Sequence, residues 1–288
     1  MGMLLLGGTA QAQRTAGYGD WQLHLPTNHP LHLADAGDRL YVATENAFYF
    51  LDKNLNTTQV LSRRDGLNDV GVAALAYDSV TRQTVLAYKN GNLDILRPDG
   101  SVRNLNDILR KSIQGAKEIH QVSIGGGKAY VSTSFGLVVV DLTKLEISDT
   151  YTTIGPGGTM VAVYDAAVAN GFLVVATSVG LLRGQLTSNL LDYRNWVLYQ
   201  PILSSPTKRV YHFVAAYAGQ VYAAVEGNGA AVYKFVEGTP GTWQAVPNTG
   251  SGEYRSLRAS SIGVFIVDDA AGVRRLDSNE VVTTVVLP

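Results

Sequence analysis

Three observations predict an all-β protein built as a β-propeller. A β-hairpin is written six times along the 288 residues. Its matching positions, Thr44, Tyr88, Thr133, Thr177, Val225 and Asp268, stand 44, 45, 44, 48 and 43 residues apart. Most intervals also hold an apolar, small-residue strand before the hairpin and a more polar strand after it. A period of about 45 residues with about four strands per unit is the mark of a propeller blade.

The hairpins come first because they carry the period. In the third copy, Tyr130-Val131-Ser132-Thr133 alternates β-branched and aromatic residues with small polar ones, as a half-buried strand does. Ser134-Phe135-Gly136 reads as a turn, and residues 137–140 as a fully apolar partner strand. On this reading Phe135 tolerates a charge and Val131 does not. The same unit recurs at residues 40–51, with a Glu45-Asn46 turn, and at 84–96, with an Asn90-Gly91 turn. It recurs at 173–182, turning through Gly180, and at 221–233, turning through Gly227-Asn228-Gly229. The sixth copy is 264–276, turning through Gly272.

Inner strands are expected at residues 74–77, 121–124, 166–169 and 212–216, which are rich in the small residues that a crowded channel requires. Outer strands are expected at 58–61, 101–103, 147–150, 196–198, 243–246 and 281–287, where polar residues blunt exposed edges. Between copies two and three, Leu105, Ile108, Leu109 and Ile113 fall at helical spacing and predict a short helix. Ahead of the first copy, residues 21–25 alternate large apolar and polar side chains as a lone strand, stopped by Pro26 and Pro30. Six repeats are visible, and a propeller must close to hide its edges. Two closures are open. The Trp21 strand adds to the last unit, giving six blades, or it joins residues beyond Pro288 in a seventh. Because residues 281–287 already fill the outer-strand place of unit six, the expectation is seven blades, closed by the Trp21 strand together with residues beyond Pro288.

Composition narrows the function. Hydrophobic residues make up 46% and charged residues 16%, enough apolar surface for a real core. The net charge of −1 carries no nucleic-acid footprint. There are no cysteines, which removes disulfides and thiolate metal sites. No apolar run reaches the roughly 18 residues of a membrane span. Residues 1–12 read as a signal-peptide remnant: Leu4-Leu5-Leu6 supplies a short apolar run and Ala10-Gln11-Ala12 a small-x-small cleavage pattern. The propeller then occupies 13–288, as a possible part of a longer protein, and the protein is exported to the periplasm or the outer-membrane surface.

No catalytic constellation emerges. His24, His29 and His32 lack the helix or the carboxylates of a metal site. Gly125-Gly126-Gly127-Lys128 and Gly155-Pro156-Gly157-Gly158 precede strands, not helices, and read as turns rather than phosphate cradles. Asp65, Asn68 and Asp69 lack calcium-loop spacing. No cofactor or metal is expected. Three basic pairs stand out: Arg63-Arg64, Arg110-Lys111 and Lys208-Arg209 all lie in links between units, which emerge on one propeller face. These six residues are the candidate ligand-binding rim, suited to an anionic polymer.

Residues 66–78 (Gly66-Leu67-Asn68-Asp69-Val70-Gly71, then Val72 to Asp78) resemble the linker and inner strand of the two-component-regulator propeller repeat. Residues 129–137 and 174–182 resemble its hairpin. The order of features is similar to the family of N-terminal propellers of PorZ, a type IX secretion component of Bacteroidetes. The shared features include Tyr41-Val42-Ala43-Thr44-Glu45, Asn90-Gly91-Asn92, the run 135–142 and Ile154-Gly155-Pro156-Gly157-Gly158. That resemblance implies a non-catalytic cell-surface module in an attachment complex. Its implied partners are a PorU-like sortase and an anionic lipopolysaccharide, with no nucleic acid. It supplies no catalytic residues. The alternative that the same repeat implies is the extracytoplasmic sensor region of a hybrid two-component system.

Overall fold

Six four-stranded antiparallel sheets follow one another along the chain, each a meander from inner to outer strand. The computed structural model describes residues 28–112, 116–199, 210–226, 231–238, 241–250 and 253–286. The inner strands are His32–Asp35, Val72–Asp78, Ile119–Gly125, Val163–Ala169, Val210–Tyr217 and Tyr254–Ser260. The outer strands are Thr57–Leu61, Val102–Leu105, Glu146–Tyr151, Trp196–Tyr199, Thr242–Ala245 and Val282–Val286. Each inner strand packs beside the next, from the first blade to the sixth. Among the described residues this is a β-propeller of six blades.

The hairpins bend where the repeat says they should, and a side chain explains why. Thr133 Oγ1 donates to the Gly136 carbonyl at 2.7 Å, and Thr177 Oγ1 does the same to Gly180 at 2.7 Å. Asp268 Oδ1 replaces the hydroxyl in blade six, accepting from the backbone N–H groups of Ala270 and Ala271. Thr133, Thr177 and Asp268 are themselves buried, so their polar atoms require an internal partner. Gly136 is needed for a second reason. A Cβ there would stand 2.2 Å from the Tyr151 carbonyl oxygen, at a φ of +135°.

The core lies between blades rather than within them. Tyr41, Phe48 and Phe50 of blade one pack on Leu75, Leu86 and Tyr88 of blade two. Val85 and Ile95 of blade two meet Val131 and Val138 of blade three. Three further clusters join blades three to four, four to five and five to six. Among the described residues no such cluster joins blade six to blade one. Alternation along the first strand shows the consequence: Ala34, facing blade two, is 7% exposed, while Leu33 on the opposite face is 58% exposed. Val285 and Val286 of blade six are likewise exposed. A seventh blade is not among the described residues, and the predicted Trp21 strand and residues 1–12 lie outside them.

Three expectations are corrected. Phe135 is not a free turn residue: it is 3% exposed and belongs to the core between blades two and three. The link before the inner strand of blade three covers the hairpin tip, with Ser134 donating to Glu118 O through its N–H and to Ala116 O through its hydroxyl. The predicted helix shrinks to one turn, Asp107–Arg110, in which only Ile108 is buried. Leu105 instead ends the outer strand of blade two, and Ile113 lies outside the described residues. Finally, blades one and six each have an inner strand that alternation alone did not mark, because Ala34 and Leu257 are their only fully buried apolar positions apart from Tyr254.

Candidate functional site

The inter-blade links and the central hairpin turns emerge on one face of the propeller, since every blade repeats the same strand order. On that face, between blades one and two, lies a cavity of about 290 Å³. Its walls are apolar, built chiefly by Phe48, Leu61, Leu67, Val70 and Val72. Arg63, Arg64 and Asp69 also line it.

The link from 62 to 71 shapes the cavity and is tied down along its length. Ser62 caps a 3-10 turn, Arg63–Asp65, by accepting from the Arg64 N–H at 3.2 Å. Asp65 returns the favour, accepting from the Ser62 N–H and hydroxyl, both at 2.8 Å. Gly66 then leaves the turn at a φ of +98°, which a Cβ would resist. Asn68 is fixed by a buried carboxylate. Asp94, fully buried, accepts from the Asn68 N–H at 2.7 Å and from its side-chain amide at 2.9 Å. It also accepts from Tyr88 Oη at 2.7 Å and Asn104 Nδ2 at 2.9 Å. Burial, and then the charge of Asp94, push the Tyr88 phenol far above its ordinary pKa, so it remains a donor at any physiological pH. Asp69 is held by Asn90 Nδ2, by the Val70 N–H at 2.9 Å and by Arg63 at 3.3 Å.

The electrostatics of the mouth follow. Asp65 and Asp69 have partners, and Arg63 is paired with Asp69. The Arg64 guanidinium makes no hydrogen bond or ion pair with a described residue, although its backbone is fixed. Among the described residues, Arg64 is therefore a cation without a carboxylate partner in the lining of an apolar cavity.

Of the predicted rim residues, Arg63 and Arg64 line this cavity. Arg110 and Lys111 are exposed within the next link and do not line it. Lys208 and Arg209 lie outside the described residues. Sequence reasoning missed Asp94, Tyr88 and Asn104. Two signals could have found them: Tyr88 stands where other copies carry Thr, Val or Asp, and Asp94 interrupts an otherwise apolar strand, Leu93–Leu96.

The central channel holds a second polar centre of a structural kind. Asp165 of blade four is fully buried and accepts from Ser123, Val214 N–H and Arg258, at 2.9, 3.2 and 2.9 Å. It thereby ties blades three to six together. Burial raises its pKa, against the pull of Arg258 and the hydrogen bonds. Among the described residues no group of His, Asp or Glu could hold a metal ion.

The family model for the PorZ N-terminal β-propeller domain of the type IX secretion system matches residues 40–197, just over half of the chain. The chain belongs to the PorZ N-terminal propeller family. Among solved structures, PorZ of Porphyromonas gingivalis, an essential bacterial surface component of the type IX secretion system, superposes with a TM-score of 0.75 at 21% identity. The match covers 88% of this chain and 32% of that one, so this chain spans about a third of that PorZ structure. The extracellular domain of a protein described as a hybrid two-component system of B. thetaiotaomicron gives 0.64 at 14% identity, over 92% of this chain and 36% of that one. The WD40 propeller of Doa1 gives 0.62 at 11%, over 89% and 82%. At these identities the likenesses show the fold alone. No curated protein matches by sequence. No helix among the described residues is long and apolar enough to cross a membrane.

Proposed function

We propose that this PorZ-family propeller is an exported, non-catalytic binding module of a type IX attachment complex at the outer-membrane surface. The observation that carries the reading is the family match across residues 40–197. Its partners are a PorU-like sortase and an anionic lipopolysaccharide, met on the face of the inter-blade links. Arg63, Arg64, Arg110 and Lys111 supply positive charge to that face; Lys208 and Arg209, which lie outside the described residues, are the remaining candidates for the same ligand. The free flanks of blades one and six are closed by a seventh blade to which the strand around Trp21 contributes. Exposed Leu33, Val285 and Val286 support this closure, because a flank of that kind gains stability when covered.

The decisive experiment deletes the gene in its host. Type IX cargo should lose its surface anchoring and accumulate unattached, and reversing Arg63, Arg64, Arg110 and Lys111 to Glu should reproduce part of that loss. Cargo that stays anchored in the deletion strain overturns the secretion role. The closure is tested by Trp21→Ala, which should lower the melting temperature; an unchanged melting temperature refutes it. The likeness to a two-component extracellular domain supports a second reading, that of a sensor propeller. A deletion that leaves cargo anchored but abolishes a transcriptional response to an extracellular ligand selects it.

A further inference from the structure

We propose that the cavity between blades one and two binds a carboxylate attached to an aromatic or branched apolar group, with Arg64 receiving the carboxylate. This deepens the reading of the link face as the binding face, but it does not depend on a secretion role.

The first ground is that the cavity is built to stay open. An apolar void in a protein normally closes by relaxation of its walls, because lost packing costs free energy. Here the movable wall is the 62–71 link, and it is pinned at three levels. The Ser62–Asp65 capping box fixes its start, Asp94 fixes Asn68, and Asn90 fixes Asp69. The other wall belongs to the inter-blade core through Phe48, Leu67 and Tyr88. Such pinning removes the ordering cost that weakens binding to mobile loops.

The second ground is size and lining. About 290 Å³ lies at the lower end of ligand pockets, room for one ring or branched chain rather than a sugar chain or a nucleotide. The walls offer apolar carbon to such a group. Val70, 63% exposed, forms an apolar lip that a ligand would cover.

The third ground is the charge at the mouth. Carboxylates already present there are engaged, and Arg63 is engaged with them. Arg64 is left with its planar fork of donors, a geometry suited to a carboxylate. Lys89 adds a second positive charge nearby: its backbone N–H donates to Gly71 O at 3.0 Å, and its side chain approaches Gly71. The selected ligand must therefore carry an apolar body and an anionic group a few bonds away. That chemistry is met by a free aromatic acid or by the C-terminal aromatic residue of a polypeptide.

The test is an NMR titration of the full chain with 3-phenylpropionate, with 3-phenylpropanol as the neutral control. Saturable shifts should appear at the amides of Phe48, Leu67 and Val72, and not at the hairpin of blade three. The acid should bind more tightly than the alcohol by roughly two- to fivefold, the range of an exposed charge pair. Arg64→Gln, at an exposed position that should leave the melting temperature unchanged, should erase that difference while leaving alcohol binding intact. A peptide ending in Leu-Phe with a free carboxylate, compared with its amide, separates the sources. Tighter binding of the peptide acid than of phenylpropionate assigns a polypeptide terminus, and the reverse order assigns a small acid. Absence of saturable shifts at the cavity overturns the proposal, as does equal binding of acid and alcohol. Anchoring of cargo in the host is read separately, so failure of this titration leaves the secretion role standing, and failure of anchoring leaves the titration interpretable.

Discussion

The hairpins of blades two and three hold the same place in the repeat and are built differently. In blade three, Thr133 closes the turn on itself through Gly136, and Ser134 anchors the tip to the preceding link through Ala116 O at 2.6 Å. In blade two, Tyr88 occupies the threonine position, and its hydroxyl leaves the turn to reach Asp94. The turn is closed instead by backbone groups and by Asn90, which accepts from the Asn92 N–H at 3.0 Å. Asp94 then spends its remaining capacity on Asn68 and Asn104. The difference teaches where a repeat protein keeps its individuality. A blade that follows the pattern uses its polar side chains to make the blade. A blade that departs from it uses them to shape the neighbouring link, and the cavity lies beside that link.

The largest expected effect tests the regular side of the comparison. Phe135→Asp places a carboxylate in the core between blades two and three, and Val131→Asp does the same on the adjoining strand. Each should cost about 4 kcal/mol or more, read as a fall in the urea midpoint, or prevent folding outright. A Phe135 variant as stable as the parent would mean that the hairpin tip is not covered by the link at 116–118.

Asp94→Ala addresses the departing blade. It removes an acceptor and leaves the Tyr88 hydroxyl and the Asn68 backbone N–H without their partner inside the protein, while Asn104 keeps Asn92 Oδ1 and Leu93 O. The expected cost is about 3 kcal/mol, given that an unsatisfied buried group costs about 1–3 kcal/mol. Amide exchange should rise along residues 66–71 and stay slow in the hairpin of blade three. Uniform acceleration across both would erase the distinction drawn between them.

These two residues also mark how far the sequence was legible. The period and the bends were readable because each blade solves the same steric problem with the same residue types, so the solutions recur in print. Thr133 and Thr177 announce themselves by position. Phe135 was misread because turn chemistry is local, whereas its burial comes from a link some twenty residues earlier that happens to fold over the tip. Arg63 and Arg64 were legible as a charged pair, and Arg64 does stand at the cavity mouth. Asp94 was not, since the partner through which it holds the link, Asn68, lies 26 residues away in sequence. The helix shrank for a related reason. Leu105 satisfied a helical spacing, yet the outer edge of blade two recruited it through pairing with Leu93.

Removing single hydroxyls measures the two designs against each other. Thr133→Val leaves Gly136 O and the Phe135 N–H without their side-chain partner and should cost about 1–2 kcal/mol. Tyr88→Phe deletes one bond to Asp94 and should cost about the same, while speeding exchange at Asn68 instead of at the turn. If Tyr88→Phe disturbed the blade-two turn first, the hydroxyl would be serving the bend after all.

Acid should produce the smallest effect and the cleanest contrast. Burial alone would raise the pKa of Asp69, but the hydrogen bonds from Asn90, Val70 and Asn92 and the charge of Arg63 outweigh it and leave it below the ordinary carboxylate value. The sign follows from that direction. A carboxyl whose folded value is depressed contributes stability that is complete above its unfolded value, about 3.9, and is lost as the pH falls through the folded value. Asp69 sits near solvent, so the contribution is held to under ~1 kcal/mol. The corresponding anchor in blade three is a hydroxyl, Ser134, which does not titrate in this range. Lowering the pH through the ordinary carboxylate value, about 3.9, and below it should therefore shift the Val70 amide signal and accelerate exchange along the 66–71 link, while the tip at Ser134 stays unchanged. Asp69→Asn should flatten the response of the link. A tip at Ser134 that loosened in parallel would show that acid acts on the whole propeller and not on the carboxylate-anchored link.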